Sequence, residues 1–232
     1  VNTTGAGMTT LHASVDIDVT GAEGITLGHI NGAESLTLSA EGAGDVTLRN
    51  ADIASVTIDD ANDVTLSGQA VTSGDFIVDG TTDGIITVDG SINAGGNATL
   101  DTAALVDING TVSADEALSV STTANVDIDN NLTGDSVTIN GDTGITLNGD
   151  VHGTNGNVTV SDGLTVDGDS TVTSENGDLT FASTIDGPSA LNAFADSGTV
   201  NFENSVGDGV ALDSLLVTAN VANVAADISA DN

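Results

Sequence analysis

An apolar-x-apolar doublet returns about every 20 residues along this chain. It appears as Leu36-Thr37-Leu38, Val56-Thr57-Ile58, Leu118-Ser119-Val120, Val137-Thr138-Ile139, Val158-Thr159-Val160 and Leu179-Thr180-Phe181. A unit this short cannot bury its own apolar face, so the recurrence calls for units that stack on one another and share a core. Within each unit the apolar positions resolve into three columns. The first runs from Leu36 through Val56, Phe76, Ala98, Leu118, Val137, Val158 and Leu179 to Val200. The second runs from Ile25 through Val46, Val64, Ile86, Val106, Val126, Ile145, Leu164 and Ile185 to Val206. The third is read as Ile30, Ile53, Val71, Ile92, Val112, Leu132, Val151, Val172, Leu191 and Leu212.

Between columns the segments are short and alternate in polarity, which is strand periodicity. Asn31-Gly32, Asp79-Gly80, Asp89-Gly90, Asn109-Gly110, Asn140-Gly141, Asn148-Gly149 and Asp162-Gly163 punctuate them, and such pairs accept the backbone angles of tight corners. The same dipeptides would serve a meander of two-residue hairpins. Hairpins explain alternation but not a threefold recurrence. The expected fold is therefore all-β: a parallel β-helix, or triangular β-solenoid, with three short strands per coil of about 20 residues, and about ten coils pairing at about 4.8 Å to form a rod. It is read as a single domain over 1–232, with 1–20 and 218–232 as irregular or terminal coils; helix is not expected over most of the chain, and 190–196 and 221–228 are the stretches the pattern assigns least firmly. No capping helix is recognisable at either end, so the ends are expected to continue into a longer rod or to be covered by other copies.

Charge narrows the partners. There are 35 acidic residues against one basic residue, Arg49, giving a formal charge of −34. Such a chain lacks the basic footprint of nucleic-acid binding and would be repelled by an anionic membrane surface. No apolar run long enough to span a bilayer as a helix is present, so no membrane insertion is expected. High charge with few aromatics often means disorder, but here Val, Ile and Leu are abundant and regularly placed. Self-repulsion at this charge favours a salty or calcium-containing extracellular setting, and the absence of Cys is compatible with bacterial secretion. The polar Val1-Asn2-Thr3-Thr4-Gly5 start reads as a processed terminus or a boundary of the cloned segment.

The stacked V-T-L/V-D-I strands with G-N-D turns resemble the filamentous-haemagglutinin and autotransporter class of secreted bacterial surface proteins with β-strand repeats. The sharpest stretch is Val200-Asn201-Phe202-Glu203-Asn204-Ser205-Val206-Gly207, continuing to Leu212-Asp213-Ser214-Leu215-Leu216-Val217. It looks like an F-x-x-x-V-G…L-x-S-L-x-V unit of large surface proteins. The resemblance implies a right-handed parallel β-helix at the cell surface or outside the cell, serving as a stalk, fibre or adhesin.

Carboxylates are the obvious candidates for chemistry. Asp16-x-Asp18, Asp127-x-Asp129 and Asp167-x-Asp169 each put two on one side of a strand, and Asp107 is expected one coil from Asp127. Close like charges favour a cation between them, so Asp107, Asp127, Asp129, Asp167 and Asp169 are calcium candidates. Against this, the stretch from Asp127 has Leu132 and Thr138 where an EF-hand needs Gly and Glu, and Gly95-Gly96-Asn97 does not continue as a calcium nonapeptide. The same residues also read as solvated turn and strand positions.

Parallel β-helices also host polysaccharide-cleaving enzymes, and two carboxylates at glycosidase separation would be easy to find on this surface. Yet Trp and Tyr are absent, and the bases available to a lyase are Arg49, His12, His29 and His152, which read as surface residues beside corners. Long loops that build clefts are absent too. Stacked Thr at 37, 57, 138, 159 and 180, and at 47, 65, 87, 146 and 165, hints at ice binding, but charged flanks such as Asp45 and Arg49 spoil a flat face. Sequons at Asn2, Asn97, Asn131 and Asn157 are expected by chance in so Asn- and Thr-rich a chain. The expectation is a non-enzymatic extracellular filament or adhesin stalk with no catalytic residues. It requires no cofactor, calcium being a candidate ligand only, and its partners are other copies end to end or host and surface glycans. The alternative is a carbohydrate-binding or polysaccharide-cleaving β-helix.

Overall fold

The computed structural model describes residues 8–21, 23–81 and 84–230. The Val1–Gly5 start and the Asn2 sequon lie outside the described residues. Over the described residues there are 27 β-strands and no helix. The chain divides into two compact units, Val1–Ser119 and Val120–Asn232, and within each unit the strand pairings are parallel. Each is a β-solenoid, because its strands pair in parallel with strands about one repeat away along the chain.

The short strands show how three residues make a rung. Val64–Leu66, Ile86–Val88 and Val106–Ile108 in the first unit are each buried, half-buried, buried in sequence. Val158–Val160 and Leu179–Phe181 repeat the pattern in the second. Two aliphatic side chains point into the core and one polar side chain points out, which is the period-2 alternation of a one-sided strand. Asn, Asp and Gly then turn the chain to the next face.

The columns are observed as registers. In the first column Leu36 pairs with Val56, Val56 with Phe76 and Phe76 with Ala98; Val137 pairs with Val158, and Leu179 with Val200. The second column runs Ile25, Val46, Val64, Ile86, Val106 in one unit and Val126, Ile145, Leu164, Ile185, Val206 in the other. All of these are buried.

The third column departs from expectation at three places. Ile30 pairs with Ala51, Ala51 with Ala70 and Ala70 with Ile92, so small alanines fill the rungs expected of Ile53 and Val71. Val46–Ile53 is one continuous strand that carries two faces, and Ile53 points inward two residues further on, beside Thr72. Val71 pairs with Asp52 and Asn93 and is half-buried, because a one-residue offset moves a side chain to the opposite face. Leu212 pairs with Ala230, while Leu191 pairs with Leu215.

The stretches the pattern assigns least firmly, 190–196 and 221–228, are strand over much of their length. Ala190–Phe202 and Ser214–Val224 are long strands paired with each other, with a shift in register between Ala195 and Thr199. In the F-x-x-x-V-G stretch, Phe202 stacks on Phe181 with ring centroids 5.4 Å apart. Gly207 follows with φ of 71°, and a Cβ there would come within 2.0 Å of the Ser229 carbonyl, so only glycine fits.

The core also holds hydroxyls at its corners. Thr72 donates to the Gly74 carbonyl at 2.8 Å, Ser170 to Gly168 at 2.8 Å and Ser174 to Gly156 at 2.9 Å. The first two close turns and the third ties one coil to the next; each satisfies a polar group that the core could not otherwise accept.

Candidate functional site

The acidic residues sit mainly where one face turns into the next. A corner exposes backbone N–H groups that the strand ladders leave unpaired, and Asx side chains of the preceding coil accept from them. Asp63 Oδ1 accepts from Ile85 N at 2.8 Å, Asp75 from Asn97 N at 2.8 Å, Asp150 from Thr171 N at 2.8 Å and Asp178 from Thr199 N at 2.8 Å. Asn131 and Asn157 do the same for Asp150 N at 3.2 Å and Asp178 N at 2.9 Å.

Neighbouring rungs of these ladders mix carboxylate with amide. Asn62 Nδ2 donates to Asp45 Oδ1 at 3.0 Å, Asn97 to Asp75 at 3.2 Å, Asn109 to Asp89 at 3.1 Å, Asn148 to Asp129 at 3.3 Å and Asn155 to Asp135 at 2.6 Å. Opposing a carboxylate with an amide donor replaces like-charge repulsion by a charge-assisted hydrogen bond.

The calcium candidates are placed as follows. Asp107 lies in the first unit beside Thr87 and accepts from Asn109 at 3.3 Å. Asp127 lies in the second unit beside Thr146, and Asp129 follows it, exposed. Asp167 and Asp169 are not strand residues: they occupy the corner between Leu164–Val166 and Ser170–Ser174, where Asp169 accepts from Ala190 N at 3.1 Å. The local reason is Gly168 between them, which suits a turn better than a rung. Asp16 and Asp18 do share the exposed face of Val15–Gly21. Among the described residues, no group of three or more His, Asp or Glu side chains converges to hold a metal ion.

A concave surface forms on the third face of the second unit. Leu132–Gly134, Val151–Gly153 and Ser170–Ser174 stack in register, so Thr133, His152 and Thr173 form one outward row. His152 is thus mid-strand, held between two threonines, and not beside a corner as expected. Its Nε2 lies 2.9 Å from Glu175 Oε1 of the next coil, with the two side chains 37% and 47% exposed. Asn131, Asp150 and Thr171 complete the polar wall of a depression of about 430 Å³. The next rung of the outward row is Phe194, paired with Thr173.

Phe76, Phe181 and Phe202 are buried, whereas Phe194 is half-buried and directed outward. Its position was legible in principle: Leu191-Asn192-Ala193-Phe194-Ala195 alternates with Ala on the inward side. The pairing of His152 with Glu175 was not, because the two are 23 residues apart and meet only through the coil register. His29 is exposed on Ile25–Gly32 and His12 is exposed beyond Met8–Leu11.

The threonine rows exist but are interrupted. Thr57 is followed by Ile77, Thr87 by Asp107, Thr165 by Asp186 and Thr180 by Asn201. Comparison with protein-family models, with curated proteins and with solved structures gives no match.

Proposed function

We propose that this chain is a non-enzymatic structural segment of an extracellular filament or adhesin stalk, in which a second copy adds end to end. The supporting observation is the strand Ser214–Val224. Among the described residues it has a parallel partner on one side only, and its core-facing side chains continue the columns into solvent. Ala222 and Val224 stand on the buried Val200 and Phe202, yet Val224 is 48% exposed. An open edge that carries an aliphatic rung is a template for one more coil. In a second copy, Val15, Ile17 and Val19 offer half-buried side chains in the same first-column register, on a strand that among the described residues is paired on one side only. A contact of that kind repeats without closing and builds a filament.

The acidic, cysteine-free composition suits a secreted bacterial protein of the haemagglutinin and autotransporter kind, with calcium bridging carboxylates of adjoining copies. Sedimentation equilibrium over a concentration series, with calcium and with chelator, tests the association. The expected result is growth of oligomers that Val224→Asp abolishes without lowering the melting temperature. A native chain that stays monomeric throughout, or a Val224→Asp chain that associates equally well, overturns the reading.

Phe194 favours a second reading, carbohydrate binding on the third face. An outward aromatic beside a polar depression can stack the apolar face of a neutral sugar, while Asp150 and Glu175 accept its hydroxyls. Titration with neutral oligosaccharides should then give a heat that Phe194→Ala removes; equal heats for both proteins would count against it.

A further inference from the structure

We propose that Asn148 and Asn176 are sites of spontaneous deamidation in the folded protein, and that the other Asn-Gly pairs are protected by the fold. Six Asn-Gly pairs occur, at 31, 109, 140, 148, 155 and 176. The reaction needs the glycine backbone nitrogen to lose its proton to a solvent base and attack the asparagine Cγ. The bond from Cγ to Nδ2 then breaks and ammonia leaves with a proton. Water opens the resulting succinimide at either carbonyl, giving aspartate or isoaspartate. The sum is amide plus water to acid plus ammonia, with no oxidant or reductant.

The structure separates the six by the state of that nitrogen. Gly110 N donates to Val88 O at 2.8 Å and Gly156 N to Asp135 O at 2.7 Å, so neither can attack until its bond opens. Asn31-Gly32 lies within the strand Ile25–Gly32, flanked by Met8–Leu11 and Val46–Ile53. Asn140-Gly141 ends the strand Ser136–Gly141, with Gly141 buried. Gly149 and Gly177 lie in corners outside the strands, and neither N–H has a hydrogen-bond partner among the described residues. The asparagines before them are both exposed, so water and base reach the site.

Conversion would act on what those amides hold. Asn148 Nδ2 donates to Asp129 Oδ1 at 3.3 Å, and an acid at 148 would set carboxylate against carboxylate. Asn176 Nδ2 donates to the Thr154 carbonyl at 2.9 Å, and Asn176 directly follows Glu175, which lines the third-face depression. Both reactions therefore add negative charge at corners of the second unit, and this holds whether or not the chain forms filaments.

The test is to age the purified folded protein in mildly alkaline buffer and follow each Asn-Gly peptide by mass spectrometry, with isoaspartate identified separately. A parallel sample is aged in denaturant. Asn148 and Asn176 are expected to convert several-fold ahead of the other four in the folded protein, and all six at similar rates in denaturant. The charge drift seen on isoelectric focusing should vanish in an Asn148→Gln, Asn176→Gln double variant. Conversion of Asn109 or Asn155 as fast as Asn148 in the folded protein overturns the proposal. So does survival of Asn148 and Asn176 while the denatured chain reacts.

Discussion

Asn97 makes four bonds across coil steps: its N–H and its amide both donate to Asp75, its Oδ1 accepts from Ala117 N and its carbonyl accepts from Phe76 N. Replacing it by aspartate keeps the shape but exchanges a donor for a charge. Asn97→Asp should cost about 1–2 kcal/mol at neutral pH and low salt, from the lost bond and from two facing carboxylates in a partly solvated corner. The pH sign follows from proton counting. Two close carboxylates hold a shared proton better in the folded than in the unfolded chain, so the folded variant binds more protons and regains stability as pH falls from about 7 towards 4. Thermal melts of wild type and variant across that range check it. A deficit that grows on acidification would refute the carboxylate–amide pairing. Asp150→Ala makes the complementary case, since it strands Thr171 N one coil on; a loss of about 1 kcal/mol is expected in the melting free energy.

At the scale of the strand, alternation decides everything. Val137 and Thr138 are neighbours in Ser136–Gly141, yet Val137 is fully buried and Thr138 is exposed. Val137→Asp should therefore cost about 4 kcal/mol or abolish the cooperative transition, while Thr138→Asp stays within about 0.5 kcal/mol. Equal effects in urea melts would show that the face assignment is wrong. The same alternation made the first two columns readable from residues alone, because Val-Thr-Leu and Val-Asp-Ile name their inward members. It failed where the inward residue is small or hydroxylated: Ala51, Ala70 and Thr72 carry no hydrophobic signal, and Ile53 and Val71 drew the third column away from them. The corners were legible as turns but not as ladders. Asp129 and Asn148 look unrelated until the coil register brings them together, and the same is true of His152 and Glu175.

For the whole molecule the governing quantity is the charge of −34, answered by a single Arg. The amide-for-carboxylate rungs relieve repulsion between neighbours, but they leave the long-range field intact. That field is screened over about 30 Å at 0.01 M salt and about 3 Å at 1 M. The melting temperature should therefore climb steadily with sodium chloride over this range, since the compact state concentrates the charge more than the unfolded chain does. Calcium separates screening from binding. At matched ionic strength, magnesium and calcium should raise the melting temperature alike if they only screen, because both are divalent. Calcium should exceed magnesium if pairs such as Asp16 and Asp18 share an ion, since calcium accepts irregular oxygen shells that magnesium does not. An extra calcium shift that appears only as protein concentration rises would place the ion between copies, where a filament needs it. An extra shift at every concentration would place it within one chain, and no shift beyond magnesium would remove calcium from the proposed assembly altogether.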